Sequence, residues 1–165
     1  MTVTNVDVNT EGKTLTVTAH FDASIEHVWE LWANPRKLEQ WWGPPTYPAT
    51  VVEHDLTVDG RVTYFMTSPE GDKHHGWWRV VSVEAPAALA FEDGFGDADG
   101  NPNPEMPITM ARVAIDARAE GGTVMTLTST FPTAEVMAQM VEMGMQEGIT
   151  LAMGQMDALL DSARS

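Results

Sequence analysis

The sequence predicts an α+β domain: a curved antiparallel sheet of about six to seven strands wrapped around a long C-terminal helix, with two short helices after the first strand. Three observations carry this. Apolar and polar residues alternate through much of the chain, as they do in half-buried strands. Turn-forming clusters such as Val58-Asp59-Gly60, Ser68-Pro69-Glu70-Gly71-Asp72 and Glu84-Ala85-Pro86-Ala87 separate these runs. The end of the chain switches to helical periodicity with no internal proline.

The elements follow in order. In KTLTVTAHF, Leu15, Val17, Ala19 and Phe21 point one way and Thr14, Thr16, Thr18 and His20 the other. DASIEHVWELWANP changes period, with Ile25, Val28, Trp29 and Trp32 at helical spacing and Ser24 as N-cap. Asn34-Pro35 ends this helix, and RKLEQWW forms a second one stopped by Gly43-Pro44-Pro45. ATVVEHDL, GRVTYFMT, HHGWWRVVSVE and ALAFED read as strands of successive hairpins. FGDADGNPNPEMP reads as a long mobile loop at one end of the sheet. ITMARVAIDARA and TVMTLTSTF form a further hairpin around Glu120-Gly121-Gly122, with Met125, Leu127 and Phe131 on one face. From Pro132 onward one helix is expected, with Thr133 as N-cap and a broad apolar face that includes Met137, Met140, Gly144, Met145 and Gly148. At 1.5 Å per residue it would span about 40 Å, enough to cross the sheet.

Composition bounds the function. The 165 residues suit one domain over residues 1–165, with 43% apolar and 20% charged residues. The 24 acids against 9 bases leave a net charge of −15. Such a surface repels phosphate backbones and anionic headgroups, which argues against nucleic-acid binding and membrane docking. There is no cysteine, so disulfides and thiolate chemistry are excluded, which fits a reducing cytoplasm. The start has no basic stretch followed by an apolar one, so no signal peptide is expected. No apolar run approaches the roughly 20 residues that span a bilayer.

Several landmarks resemble a known family. FDASIEHVWELWANPRKLEQWWGP looks like its opening segment of strand end, helix with Val-Trp, and helix closing on a tryptophan and Gly-Pro. EHDLTVDGRVTYFM and HGWWRVVSVEAPAALAFE resemble its central strands, and TVMTLTSTF with the last helix completes the match. The chain is thus similar to the START-like (helix-grip, SRPBCC) superfamily, and within it to stand-alone bacterial members of the heat-shock-protein-ninety ATPase activator homologue family. The resemblance implies the helix-grip fold and a cavity between sheet and helix. It does not select among carriers, receptors, cyclases and chaperone co-factors, because function lives in the site. The sequence also departs from the family: Asp59-Gly60 stands where two glycines are common, Ile149 follows Gly148 where a tryptophan is common, and the acidic loop is long.

The candidate cavity wall draws on Trp29, Trp32, Trp42, Tyr47, Tyr64, Met66, Trp78, Phe91, Met110, Met140, Gly144 and Met145, with His54 and Arg79 as polar anchors. Strand facing is open by one residue, so about half of these should point inward. By the resemblance, Trp41-Trp42-Gly43-Pro44 closes the second helix, one tryptophan packing beneath it and the other at the cavity mouth. Methionine adapts to irregular apolar shapes and suits either a ligand roof or ordinary packing. Gly144 and Gly148 lie one turn apart; a close neighbour or a ligand would explain both, close packing being the simpler account. His54 facing inward would serve as a proton carrier. Arg79 would hold a ligand carboxylate or pair with a surface acid. His74-His75 beside Asp72 lacks a third metal ligand, and Asp93, Asp97, Asp99 and Asn101 only faintly resemble a calcium loop. No catalytic residue, metal or cofactor is assigned.

The expected function is therefore a soluble cytoplasmic binding protein for a small apolar or amphipathic ligand. Two alternatives stand beside it: a cyclase or dehydratase using the same pocket, and a protein-interaction module. A monomer and a homodimer are both compatible with the sequence.

Overall fold

A computed structural model describes residues 3–99, 101–103 and 105–164. Two strands open the chain, β1 (Val3–Asn9) and β2 (Thr14–Phe21), followed by helices α1 (Ile25–Ala33) and α2 (Pro35–Trp41). Six further strands follow: β3 (Ala49–His54), β4 (Arg61–Thr67), β5 (Lys73–Glu84), β6 (Ala88–Phe95), β7 (Thr109–Ala117) and β8 (Thr123–Thr130). The chain then turns helical through α3 (Ala134–Glu142), α4 (Met145–Gly154) and α5 (Met156–Arg164). The strands form one antiparallel sheet of eight, in the order β1-β2-β8-β7-β6-β5-β4-β3. Register shifts within β1, β3 and β5 mark bulges, which bend a strand and sharpen its twist.

The helix-grip class predicted from the sequence is the fold observed, and two details differ. The sheet gains β1, so the two short helices follow the second strand. β1 carries Asn5, Asp7 and Asn9, residues that strands disfavour, and its Val8 is exposed, so the alternation is faint. The C-terminal helix is not continuous. Gly144 sits at φ +92°, in the left-handed region, between α3 and α4. A residue there cannot extend a right-handed helix, and glycine enters that region without a Cβ penalty. A second break falls at Gln155, whose side-chain amide donates to the carbonyls of Gly43 (2.7 Å) and Trp41 (3.3 Å).

Local sequence explains the helix ends. The Ser24 hydroxyl accepts from His27 N and caps α1; Asn34 closes α1 and caps α2 by accepting from Arg36 N at 2.9 Å, with Pro35 at the first helical position. Trp41 Nε1 donates to Leu31 O at 2.8 Å and ties α2 to α1. Beneath the two helices lies an aromatic core. Trp32 is fully buried, packs edge-on against Trp41 (4.7 Å between ring centroids) and lies 5.9 Å from Trp78, and Trp78 stacks on Phe91 at 4.0 Å. A smaller cluster of Leu15, Phe131 and Met137 on the same face of the sheet secures α3.

Candidate functional site

Between these two packed regions the helices stand off the sheet. A cavity of about 420 Å³ remains. Its floor is the inner face of the sheet, where alternate residues share a side: Tyr64 and Met66 on β4, Asp93 and Phe95 on β6, Thr109 and Ala111 on β7, Leu127 and Ser129 on β8. Its roof is Met140, Met143, Gly144, Met145, Gly148 and Ile149, with Ala152 and Met153 beyond. Trp41, Trp42, Pro44 and Tyr47 close one end.

Glycines make room at two points. Gly76 faces Tyr64 across the β4–β5 ladder, and a Cβ on Gly76 would strike the Tyr64 phenol. Glycine there lets the ring lie flat across β5 and present its hydroxyl to the cavity. In the roof, a Cβ on Gly148 would meet nothing within 4 Å. The space above that glycine belongs to the cavity, not to a packed neighbour.

The polar end of the cavity is Asp93 and Tyr64. The Tyr64 hydroxyl donates to Asp93 Oδ1 at 3.3 Å. Burial pushes the Asp93 carboxyl up from its ordinary 3.8 to about 7, against a smaller lowering by the Tyr64 hydrogen bond. Burial and then the Asp93 charge push the Tyr64 phenol well above its ordinary value, opposed by the indole N–H groups of Trp42 and Trp78. Those two N–H groups are buried and complete no hydrogen bond. Trp42 meets Tyr64 edge-on at 6.0 Å and Trp78 at 4.8 Å. His74 and His75 also line the cavity, His74 beside the Tyr47 ring at 5.9 Å.

The residues singled out in the sequence divide. Trp42, Tyr47, Tyr64, Met66, Met140, Gly144 and Met145 line the cavity. Trp29, Trp32, Trp78 and Phe91 belong to the buried core. Met110 stands on the opposite face of β7 from the lining residues Thr109 and Ala111, the one-residue ambiguity that strand pairing allows. His54 is outside the cavity: its Nε2 lies 3.0 Å from the Trp32 carbonyl oxygen, to which the ring nitrogen donates. Arg79 lies on the surface, with Nε 2.6 Å from Glu92 and NH1 2.9 Å from Asp59. In the acidic loop, Asp97 Oδ1 accepts from the backbone N–H of Asp99 and Asn101, each at 2.9 Å, which gives this acid a local structural role. Among the described residues no group of three His, Cys, Asp or Glu is placed to hold a metal ion.

Asp93 is a cavity residue that the sequence reading did not single out as one: it stood at the end of the strand ALAFED and was grouped with the acids that faintly resemble a calcium loop. The signal for it was present. Leu89, Phe91, Asp93 and Phe95 alternate, which puts Asp93 on the face of Phe91.

Residues 22–161 match the family described as Activator of Hsp90 ATPase homolog 1-like protein, and the chain belongs to this family. Two similar solved structures are protein Ms6760 from Mycobacterium smegmatis (45% identity, 96% of each chain, TM-score 0.88) and a protein from Arthrobacter aurescens (46% identity, 98% of this chain and 93% of that one, TM-score 0.92). The AHSA1 protein of Silicibacter pomeroyi shares the fold at 21% identity, over 91% of this chain and 99% of its own, with a TM-score of 0.72. No curated protein matches the chain.

Proposed function

We propose that the chain is a binding protein that holds a small apolar or amphipathic molecule between α4 and the sheet. The observation that carries this is the cavity of about 420 Å³. Ligand pockets run from about 300 to 1,000 Å³ and combine apolar walls with a few placed polar groups. Here the roof is methionine, glycine and isoleucine, and the polar groups gather at Asp93 and Tyr64. Five lining methionines, Met66, Met140, Met143, Met145 and Met153, give a surface that adapts to ligand shape. Among the described residues no helix is long and apolar enough to cross a membrane. The lack of cysteine supports a cytoplasmic setting.

Native mass spectrometry of the purified protein, set against its denatured mass, tests the proposal. A companion of a few hundred daltons that leaves on denaturation is the expected result. A bare chain that also takes up no added apolar probe would remove the binding reading. The same spectrum reports monomer or dimer.

The cyclase or dehydratase alternative finds support in one observation. Asp93, not His54, is an acid in the cavity wall with its carboxyl raised toward neutrality, as a general acid or base requires. It predicts that Asp93→Asn keeps ligand binding and loses turnover.

A further inference from the structure

We propose that the cavity selects a hydrophobic amine, its apolar body under the methionine roof and its protonated nitrogen on Asp93, within reach of the Trp42 and Tyr64 rings. This rests on the cavity being a binding site and names the class of ligand it takes.

Charge balance comes first. Asp93 is the one carboxylate among the described lining residues, and no lysine or arginine lines the cavity. The roof segments α3 and α4 contribute only apolar lining residues and glycines, and β7 places neutral Thr109 opposite Asp93. The remaining ionisable groups among the described lining residues are Tyr47, Tyr64 on β4, and His74 and His75 on β5. A carboxylate in an apolar wall without a cation is costly, and a ligand cation would relieve that cost.

Hydrogen-bond direction points the same way. The Tyr64 hydroxyl donates its proton to Asp93 Oδ1 at 3.3 Å. The arrangement treats Asp93 as an acceptor. Oδ2 has no hydrogen-bond partner among the described residues, which leaves an acceptor position for an ammonium N–H. Trp42 and Tyr64 add aromatic rings to the lining, groups that attract cations. The net charge of −15 favours the approach of cations and disfavours that of carboxylates.

The test is calorimetric titration of the purified chain with decylamine, decan-1-ol and decanoate, matched in chain length, at about pH 8, where Asp93 is ionised. Decylamine should bind about tenfold tighter than decan-1-ol, with decanoate weakest. Asp93→Asn should remove the preference for decylamine over decan-1-ol. Because His74 and His75 also line the cavity, the variant and not a pH profile isolates Asp93. Equal or tighter binding of decan-1-ol or decanoate to the unmodified protein overturns the amine assignment while the binding cavity stands; this comparison needs no variant. An amine preference that persists in a folded Asp93→Asn protein overturns it as well. If none of the three binds, the cavity reading falls and takes this inference with it.

Discussion

Asp93 is an ionisable group placed where ionisation is unfavourable, and this has a consequence for stability. Its folded carboxyl holds a proton up to about pH 7, while in the unfolded chain it releases one near the ordinary 3.8. Between those values the folded state binds more protons than the unfolded state, so this residue's contribution to stability falls as pH rises. The direction is opposite to that of an ion-paired surface acid. Asp93→Asn should therefore stabilise the protein at about pH 8, by on the order of 2–4 kcal/mol at ~1.4 kcal/mol per pH unit, and change little at about pH 4. Thermal unfolding of both proteins at the two pH values checks this; a variant that is less stable at the higher pH would mean that the ionised carboxylate is well satisfied in the fold. Tyr64 contributes from the other side of the pair. Tyr64→Phe keeps the ring over Gly76 but deletes the donor to Asp93, so the carboxyl should shift further upward, readable as a later inflection in the same stability curve.

The elements show which features are legible in a single sequence. Strict alternation made β2 and β8 readable residue by residue, and their buried positions fall where the pattern puts them. The caps Ser24, Asn34 and Thr133 were readable because their side chains satisfy specific backbone donors. The C-terminal helix was readable as apolar periodicity but not as three segments, because the break depends on a left-handed glycine and on Gln155 reaching the Trp41–Gly43 carbonyls. Its two glycines look alike in the sequence and differ in the fold. Gly144 requires φ +92°, so Gly144→Ala should cost about 1–2 kcal/mol. Gly148 is an ordinary helical position with open space above it, so Gly148→Ala should gain up to about 1 kcal/mol. Gly148→Leu should go further: the side chain enters the cavity, stability rises or holds, and apolar probes lose their site. Chemical denaturation with a probe titration separates these outcomes. A Gly148→Leu protein that binds as the parent does would place the ligand outside this cavity. The wall itself was only half legible. Trp29, Trp32, Trp78 and Phe91 have the chemistry of a pocket lining, and only the packing of α1 and α2 against the sheet assigns them to the core.

At the scale of the whole molecule, charge is the dominant unexplained quantity. Acids exceed bases by 15, and the side-chain ion pairs Arg36–Glu39, Arg61–Glu53 and Arg118–Glu120 join partly or fully exposed groups, which contribute little individually. Most acids therefore repel one another across the surface in the compact state, and unfolding relieves part of that repulsion. Raising sodium chloride from about 0.1 M to about 1 M shortens the screening length from roughly 10 Å to roughly 3 Å, below typical spacings of surface charges. The melting temperature should rise, by about 2–4 °C for each kcal/mol of repulsion removed in a chain of this size. Asp93 provides an internal control, since partly buried groups are screened much less than surface ones. The salt-dependent rise should be nearly the same in the parent and in Asp93→Asn, while the two proteins remain offset at about pH 8. A melting temperature that is flat or falls with salt would mean that the acidic surface does not strain the fold. A salt response that disappears in Asp93→Asn would mean that the one cavity acid, and not the surface, carries the strain.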